Sequence, residues 1–342
     1  MTNDLQLSII VPVFNRPDEV KELLESLAKQ TDKDFEVLIV EDGSTLKCDE
    51  VCKQYDGILN LHYHYKDNSG PGLSRNYGIQ RACGNYVVIF DSDCIIPSHY
   101  VEIVKQELSS RYVDAYGGPD AAHENFTDIQ KAISYSMTSF FTTGGIRGGN
   151  EKAGKFHPRS FNMGFSKEVF EKTGGYAPIR FGEDIDLTLR ILEAGFQTRL
   201  IKSAFVWHKR RTDFKKFFKQ VFNSGCARIN LNKLHPGSLK LVHCMPAAFL
   251  YGNIGLILLS IILGICLENA TISLICIAPL LLYILLLFID SLRQNSVKVA
   301  FLSIIAAYVQ LSAYGMGFTL GIWKVWIKGD KEAKAFVKNF YK

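Results

Sequence analysis

Asp91, Ser92 and Asp93 follow directly on the apolar run VVIF at 87–90. A carboxylate costs several kcal/mol to bury without a partner, so two of them at the end of a buried run call for a positive charge between them. Other polar groups stand at comparable places. Asn15 and Arg16 follow LSIIVPVF (7–14), Glu41 and Asp42 close FEVLIV (35–40), and Asp67 follows the alternating stretch LNLHYHY (59–65). Oxygen donors gathered in this way suit a hard divalent cation, which in turn holds a diphosphate. The spacing D-x-D lets one bend turn both carboxylates to the same ion. No GxGxxG follows the first strand and no GxxxxGK[ST] occurs, so a glycine cradle of the dinucleotide-binding or Walker type is not the device that holds phosphate. A second acidic group, Glu183, Asp184 and Asp186, lies in RFGEDIDLTLR (180–190), where Ile185, Leu187, Leu189, Ile191 and Leu192 mark a helix beginning near Asp184. Acids at such a start cap the helix and complement its dipole.

The elements needed to position these groups are legible. After the first apolar run, Val20, Leu23, Leu24 and Leu27 fall on one face of a helix over 18–30, with Pro17 suited to its entry. Residues 35–44 read as a strand, 48–56 as a helix, 59–65 as a strand, 72–83 as a helix and 85–90 as a strand. A helix over 98–110 and a strand near 114–118 come next. This alternation predicts an α/β fold with a mostly parallel sheet and right-handed crossovers, whose ligands sit beyond the carboxyl ends of the strands. Four successive strands then bring polar groups to one rim. The Gly-, Ser- and Thr-rich stretch 134–154 reads as irregular, either a loop at the substrate site or a mobile segment.

Composition shifts near residue 247. The runs 248–267, 271–289 and 300–322 carry no Asp, Glu, Lys or Arg, and each is long enough to cross a hydrocarbon core of roughly 30 Å at 1.5 Å per residue. Three such runs in succession predict transmembrane helices at about 247–267, 271–289 and 300–322. The first residues lack the basic flank and long apolar core of a signal peptide, so the large N-terminal part is expected in the cytosol. The eight cysteines show no paired CxxC spacing and read as reduced thiols. The net charge of +5 is concentrated in HKRRTDFKKFFK (208–219) and in 324–342, which flank the apolar runs and suit anionic headgroups. No nucleic-acid motif accompanies that charge, and nucleic acid is not an expected partner. Basic residues at both ends of the apolar region place both ends inside, whereas three crossings place the C-terminus outside. Either the tail is exported, or one segment is re-entrant or interfacial; the third, with Gln310, Gly315, Gly317 and Gly321, reads as the weakest crossing.

SIIVPVFNR, VEDGS, DNSGPGLSRNYGI, FDSD and FGEDIDLTLRILEAGF, in that order, resemble glycosyltransferase family 2, which has the GT-A fold; the resemblance covers roughly 5–230. It implies a GT-A domain over 1–235; the apolar runs and the charge pattern add transmembrane helices within 236–322 and a basic amphipathic tail over 323–342. It implies that Pro12, Phe14, Asn15 and Arg16 hold the nucleobase, and that Glu41 and Asp42 contact base or ribose. Asp67, Arg75 and Asn76 match the third nucleotide-contacting stretch. Asp91, Ser92 and Asp93 match the DxD motif, with Asp93 binding Mg²⁺ or Mn²⁺ across the donor diphosphate and Asp91 binding ribose or a metal water. Asp184 matches the general base of the ED motif, and Glu183, Asn162 and Gly164 lie where relatives approach donor sugar or acceptor. Some relatives place a metal-binding histidine where His208 stands; a histidine among aromatics is otherwise a structural hydrogen-bonder.

The resemblance thus implies an inverting transfer of one sugar from a nucleotide-sugar, expected to be a UDP-sugar, to a lipid-linked or other glycan acceptor at an inner membrane, in cell-envelope glycan synthesis. Arg210, Arg211, Gln220 and Arg228 are placed to meet phosphate or lipid headgroups. Gln220 begins a partial match to the QxxRW signature of processive synthases, but Asn223 and Ser224 stand where Arg-Trp is required, which favours single addition. A processive polysaccharide synthase, a non-catalytic nucleotide-sugar-binding scaffold and a nucleotidyltransferase are the alternatives.

Overall fold

A computed structural model describes residues 5–121, 123–144, 156–209, 211–266, 270–333 and 336. In chain order the elements are β1 (Leu7–Val13), α1 (Pro17–Ala28), β2 (Phe35–Asp42), α2 (Asp49–Lys53), β3 (Asn60–Lys66), α3 (Pro71–Ile79), β4 (Tyr86–Phe90), β5 (Cys94–Ile95), α4 (Tyr100–Ser110), β6 (Ala115–Gly117) and β7 (Asp120–Ala121). There follow α5 (Asp128–Thr138), α6 (Phe140–Thr143), β8 (Asn162–Ser166), α7 (Lys167–Thr173), α8 (Glu183–Glu193), β9 (Thr198–Leu200), β10 (Val206–His208), α9 (Phe214–Leu234), α10 (Met245–Cys266), α11 (Ala270–Leu292) and α12 (Val297–Gly321). Two compact units result. Met1–His123, Gly149–Lys209 and Lys338–Lys342 form one, and Glu124–Gly148 with Arg210–Val337 form the other. The sequence had placed 124–148 and 210–235 with the first of these.

The first unit is built on a seven-stranded sheet in the order β3-β2-β1-β4-β8-β6-β9. β3, β2, β1 and β4 run parallel, with Ile9 opposite Val37 and Val88. β8 turns antiparallel to β4, pairing Phe90 with Asn162 and Val88 with Gly164. The sheet is covered on both faces, which is why β1, β2 and β4 are apolar without interruption. Ile9, Val11 and Val13 pack with Val20, Leu23, Leu24 and Leu27 of α1 on one face, while Ile10, Leu38, Val87 and Ile89 meet Ile79, Val169, Leu187 and Ile191 on the other. In such an order the crevice opens beyond the ends of β1 and β4, where successive crossovers leave in opposite directions. β1 runs out into Phe14, Asn15 and Arg16, and β4 into Asp91, Ser92 and Asp93. A separate three-stranded sheet, β5-β10-β7, sets His208 opposite Cys94 and Trp207 opposite Ala121.

In the second unit α10, α11 and α12 are each long and apolar enough to cross a membrane. They match the three runs read from sequence, with α12 extended by a turn of π-helix over Ile322–Ile327. The third run has the lowest mean hydropathy of the three, 1.6 against 2.2 and 2.9, in line with the weaker crossing read from sequence. It is one continuous helix, and 44% of its most apolar stretch is buried, against 0% and 11% for the other two. Its glycines are the reason. A Cβ on Gly317 would lie 2.0 Å from the Phe222 carbonyl of α9, and one on Gly225 of α9 would lie 2.3 Å from the Tyr314 carbonyl, so the two backbones touch. Gly225 belongs to the stretch that resembled a processive signature; its place is at this helix contact. The segment 134–154 is not irregular in its described part, because α5 and α6 occupy it up to Thr143. Thr127 and Gln130 form a capping box that starts α5.

Candidate active site

Asn15, at the end of β1, adopts a left-handed backbone (φ 55°). Its side-chain oxygen accepts from the Thr45 and Leu46 amides, each at 2.8 Å, and its own amide donates to Ser44 Oγ at 2.8 Å. Asn15 therefore joins the loops after β1 and β2 into one lip, with Phe14 exposed beside it and Pro12 half-buried. Glu41 and Asp42 part company there, because successive strand residues face opposite sides. Glu41 is wholly buried and accepts from the Cys48 amide at 2.8 Å, from Ser44 Oγ and from Tyr63 OH at 3.3 Å. Both its oxygens are committed to holding the loop. Asp42 takes the Ser69 and Gly70 amides, each at 2.8 Å, and Lys66 Nζ at 2.6 Å. It shapes the turn into α3, and Asp67 stands exposed on that turn.

Arg75 of α3 is the centre of the rim. Its guanidinium reaches Asp91 Oδ1 at 2.8 Å and Glu183 Oε1 at 3.0 Å, and its side chain is only 4% exposed. A buried guanidinium with two carboxylates meets the demand for Asp91, since each partner offsets the other's desolvation; Asp93 is met instead by Arg16 and His208. The Arg75 charge is held firmly: burial opposes it, but Asp91, Tyr176 and Glu183 keep it well above the usual arginine range. Asn76, one residue on, faces elsewhere. Its amide group donates to the Tyr176 carbonyl and accepts from the Tyr176 amide, both at 2.8 Å, which clamps the bend at 175–176 ahead of α8.

Glu183 and Asp184 open α8 behind Gly182, whose φ is +82°. Burial pushes Glu183 up to about 7; Arg75 pulls it down, and the adjacent Asp184 adds to burial. Asp184 is 15% exposed, with Oδ2 3.0 Å from Arg159 Nε. Asp186 lies on the inner face of the helix and pairs with Arg190 at 2.5 Å, and Arg190 also donates to the Thr173 and Gly175 carbonyls. Asp186 is thus a structural anchor of α8.

Asp93 divides its oxygens. Oδ2 is 3.2 Å from Arg16 Nη1 and Oδ1 is 3.2 Å from His208 Nε2. Arg16 also meets Glu19 at 2.5 Å. Behind His208, Asp120 Oδ2 stands 3.9 Å from Nδ1, a charge contact that orients the ring, and Phe161 stacks on it with centroids 4.9 Å apart. The donor atoms of Asp93, Cys94 and His208 lie within 4.8 Å of one another. Burial and the Asp93 and Asp91 charges push the Cys94 thiol well up, so it stays protonated and a poor ligand. Carboxylate oxygen and imidazole nitrogen remain, with Asp91 two residues before Asp93, and this set fits Mn²⁺ or Mg²⁺. Ser92 is buried between the two acids.

Asn162, opposite Phe90 at the end of β4, and Gly164 are both buried rather than open to the crevice. Asn162 is fully buried; its oxygen accepts from Tyr100 OH at 2.5 Å and its nitrogen donates to the Ala204 carbonyl at 2.8 Å. Gly164 lies in mid-strand under the Tyr116 ring, which a Cβ would approach to 2.2 Å. Both are buried within β8. Arg211 is half-buried in the second unit, as is Gln220. Arg228 donates to His243 Nδ1 at 3.1 Å and to the Ser238 carbonyl at 2.6 Å, so it ties the end of α9 to the start of α10. Arg210 lies outside the described residues. Lys66, Asp120 and Arg159 had no signal in the sequence: each earns a place at the rim only through a contact between elements distant in the chain.

A family model described as Glycosyl transferase family 2 matches residues 8–174. Residues 8–174 thus form a glycosyl transferase family 2 domain. An uncharacterized glycosyltransferase of Rickettsia felis is 39% identical over 101 residues, which cover 30% of this chain and 17% of that protein. The match thus spans well under a quarter of that relative's length. Glycosyltransferase AglE of Haloferax volcanii is 25% identical over 269 residues, covering 74% of this chain and 83% of the relative. Among solved structures, mannosyltransferase PcManGT from Pyrobaculum calidifontis, in complex with GDP-Man and Mn²⁺, has a TM-score of 0.57 at 16% identity and covers 94% of this chain and 88% of its own. That likeness establishes the fold, a GT-A sheet with flanking helices.

Proposed function

We propose that this protein is a membrane-attached inverting glycosyltransferase that moves one sugar from a nucleotide-sugar, expected to be a UDP-sugar, to a lipid-linked or other membrane-proximal glycan acceptor. The observation that carries this is Arg75: one buried guanidinium joins Asp91, at the end of β4, to Glu183, at the start of α8. The DxD acids and Asp184 therefore share one edge of the sheet, in reach of one substrate.

In this reading the lip of Pro12, Phe14, Asn15 and Arg16 receives the base, and Asp42 and Asp67 shape the turn that faces the ribose. Glu41 acts by holding that lip. Asp93 and His208, with Asp91, would hold a divalent cation, which when bound supplies positive charge to the departing nucleoside diphosphate. Arg16 and Arg75 line the same edge and add fixed charge there. Asp184 takes the proton of the acceptor hydroxyl as it attacks the anomeric carbon from the face opposite the leaving group, which inverts that centre. Arg159 holds Asp184 in one orientation. Single addition is favoured over polymer synthesis, since α9 carries Asn223 and Ser224 in place of an Arg-Trp pair and packs Gly225 on α12.

The test is a donor screen with the full chain in detergent and Mn²⁺, reading nucleoside diphosphate release and product length. Release with one donor class, lost in Asp184→Asn while donor binding is kept, supports the reading. Release of pyrophosphate, or donor binding with no turnover under any acceptor, rejects it.

A further inference from the structure

Within the second unit, α5 and α6 descend along the apolar helices. At the start of α5, Asp128 Oδ2 meets Lys298 Nζ of α12 at 2.8 Å. One turn on, Ala132, Ile133 and Met137 pack with Val299, Leu302 and Ala306. Tyr135 OH then donates to Asp290 Oδ2 at 2.7 Å and to the Leu287 carbonyl at 3.3 Å, and Ser139 Oγ donates to the same carboxylate at 3.2 Å. Last, Tyr283 OH donates to the Phe141 carbonyl at 3.1 Å. Asp290 and Arg293 mark the polar end of α11. Tyr283 lies about 10 Å further along that helix, at 1.5 Å per residue.

The chemistry of the segment matches that depth. No charged residue occurs between Lys131 and Arg147. Four of its hydroxyls are satisfied inside the segment: Ser136 donates to the Ile133 carbonyl at 2.9 Å, Thr138 to the Ser134 carbonyl at 2.9 Å, Thr143 to the Ser139 carbonyl at 2.8 Å, and Thr142 to the Ser136 carbonyl. Polar groups must be paired internally where water is absent, and a water-facing loop has no such need. At the tip Phe140 is 71% exposed and Phe141 36% exposed, and Leu281 and Leu285, two residues to either side of Tyr283 on α11, are exposed as well. Aromatic residues left bare beside such a helix find their solvent in lipid.

We propose that α5 and α6 form a re-entrant membrane insertion, with Phe140 and Phe141 among the acyl chains of the bilayer. This rests on the reading that α10, α11 and α12 cross a bilayer. The test places the photoreactive p-benzoylphenylalanine singly at positions 140, 258 and 46 of the full chain in phosphatidylcholine–phosphatidylglycerol vesicles. Lipid adducts are counted by mass spectrometry after illumination. Leu258 is exposed on α10, and Leu46 is exposed in the first unit. The insertion is supported if position 140 yields adducts at the level of 258 and about tenfold above 46, as burial of an apolar tip in the headgroup–acyl boundary requires. It is overturned if 258 is labelled and 140 matches 46. Failure of 258 itself would remove the spanning helices and the insertion with them. As an independent measure, Phe140→Trp must add fluorescence that brominated acyl chains quench beyond the loss from Trp207, Trp323 and Trp326; unquenched added signal overturns the proposal.

Discussion

Glu183→Gln isolates the electrostatics of the rim. Glu183 is 12% exposed, and burial with Asp184 beside it holds its carboxyl at about 7 against an ordinary 4.5. Each tenfold change in a protonation constant is about 1.4 kcal/mol, so the folded protein prefers the neutral acid by about 3 kcal/mol. Between the two values the folded state binds more protons than the unfolded chain, so stability falls as the pH rises. The contribution is fully present below pH 4.5 and is lost as the pH passes through 7. Glutamine is a neutral isostere and does not titrate. The variant is therefore expected to match the wild type near pH 5 and to exceed it at pH 8 by up to about 3 kcal/mol, which for a unit of this size is about 6–12 °C in Tm. Thermal unfolding of the full chain in detergent, from pH 5 to 8, reads this directly. Groups that titrate alike in both proteins cancel in the difference. If the two curves run parallel, or if glutamine is the less stable at pH 8, then Glu183 is ionised at a net gain with Arg75, and the reasoning from burial fails.

Asp184→Asn is expected to lower turnover by about 10²–10⁴-fold while leaving donor affinity unchanged, measured by diphosphate release and by titration of the nucleotide-sugar. His208→Ala is expected to raise the Mn²⁺ concentration for half-maximal release by about 10–100-fold, and an unchanged metal titration would remove His208 from the cation site. Gly164→Ala places a methyl group 2.2 Å from the Tyr116 ring; a loss of about 1–3 kcal/mol in thermal unfolding follows from overpacking, with little change in donor KM among molecules that fold.

The sheet was legible because burial on both faces leaves a strong mark on a chain: β1, β2 and β4 are apolar runs, and their ends are polar. The acids at 91, 93, 183 and 184 were legible for the same reason. What could not be read was pairing that depends on the third dimension. The resemblance set Arg75 among the nucleotide contacts, but nothing local says that α3 presents it to both β4 and α8. Arg159 and Asp120 carry no periodic signal. Asn162 is polar and looked like a site residue, yet three residues from distant elements, Tyr100, Ala204 and Gly118, close around it. Glu41 and Asp42 differ by one step along a strand, which turns one to the loop interior and the other to the turn before α3. The stretch 134–144 misled through composition, because serine and threonine bonded to their own backbone carry the same letters as those that face water.

The small sheet has a consequence for how the protein is made. β10 lies between β5 and β7, so the imidazole of His208 reaches Asp93 only after a strand from late in the first unit has been laid between two much earlier ones. A ribosome delivers the four parallel strands and their acidic ends well before it delivers residue 208, and domains fold as their segments emerge. Cation capture would then be a finishing step of synthesis, and a nascent chain halted ahead of Val206 would display the acids without the nitrogen that completes their grip.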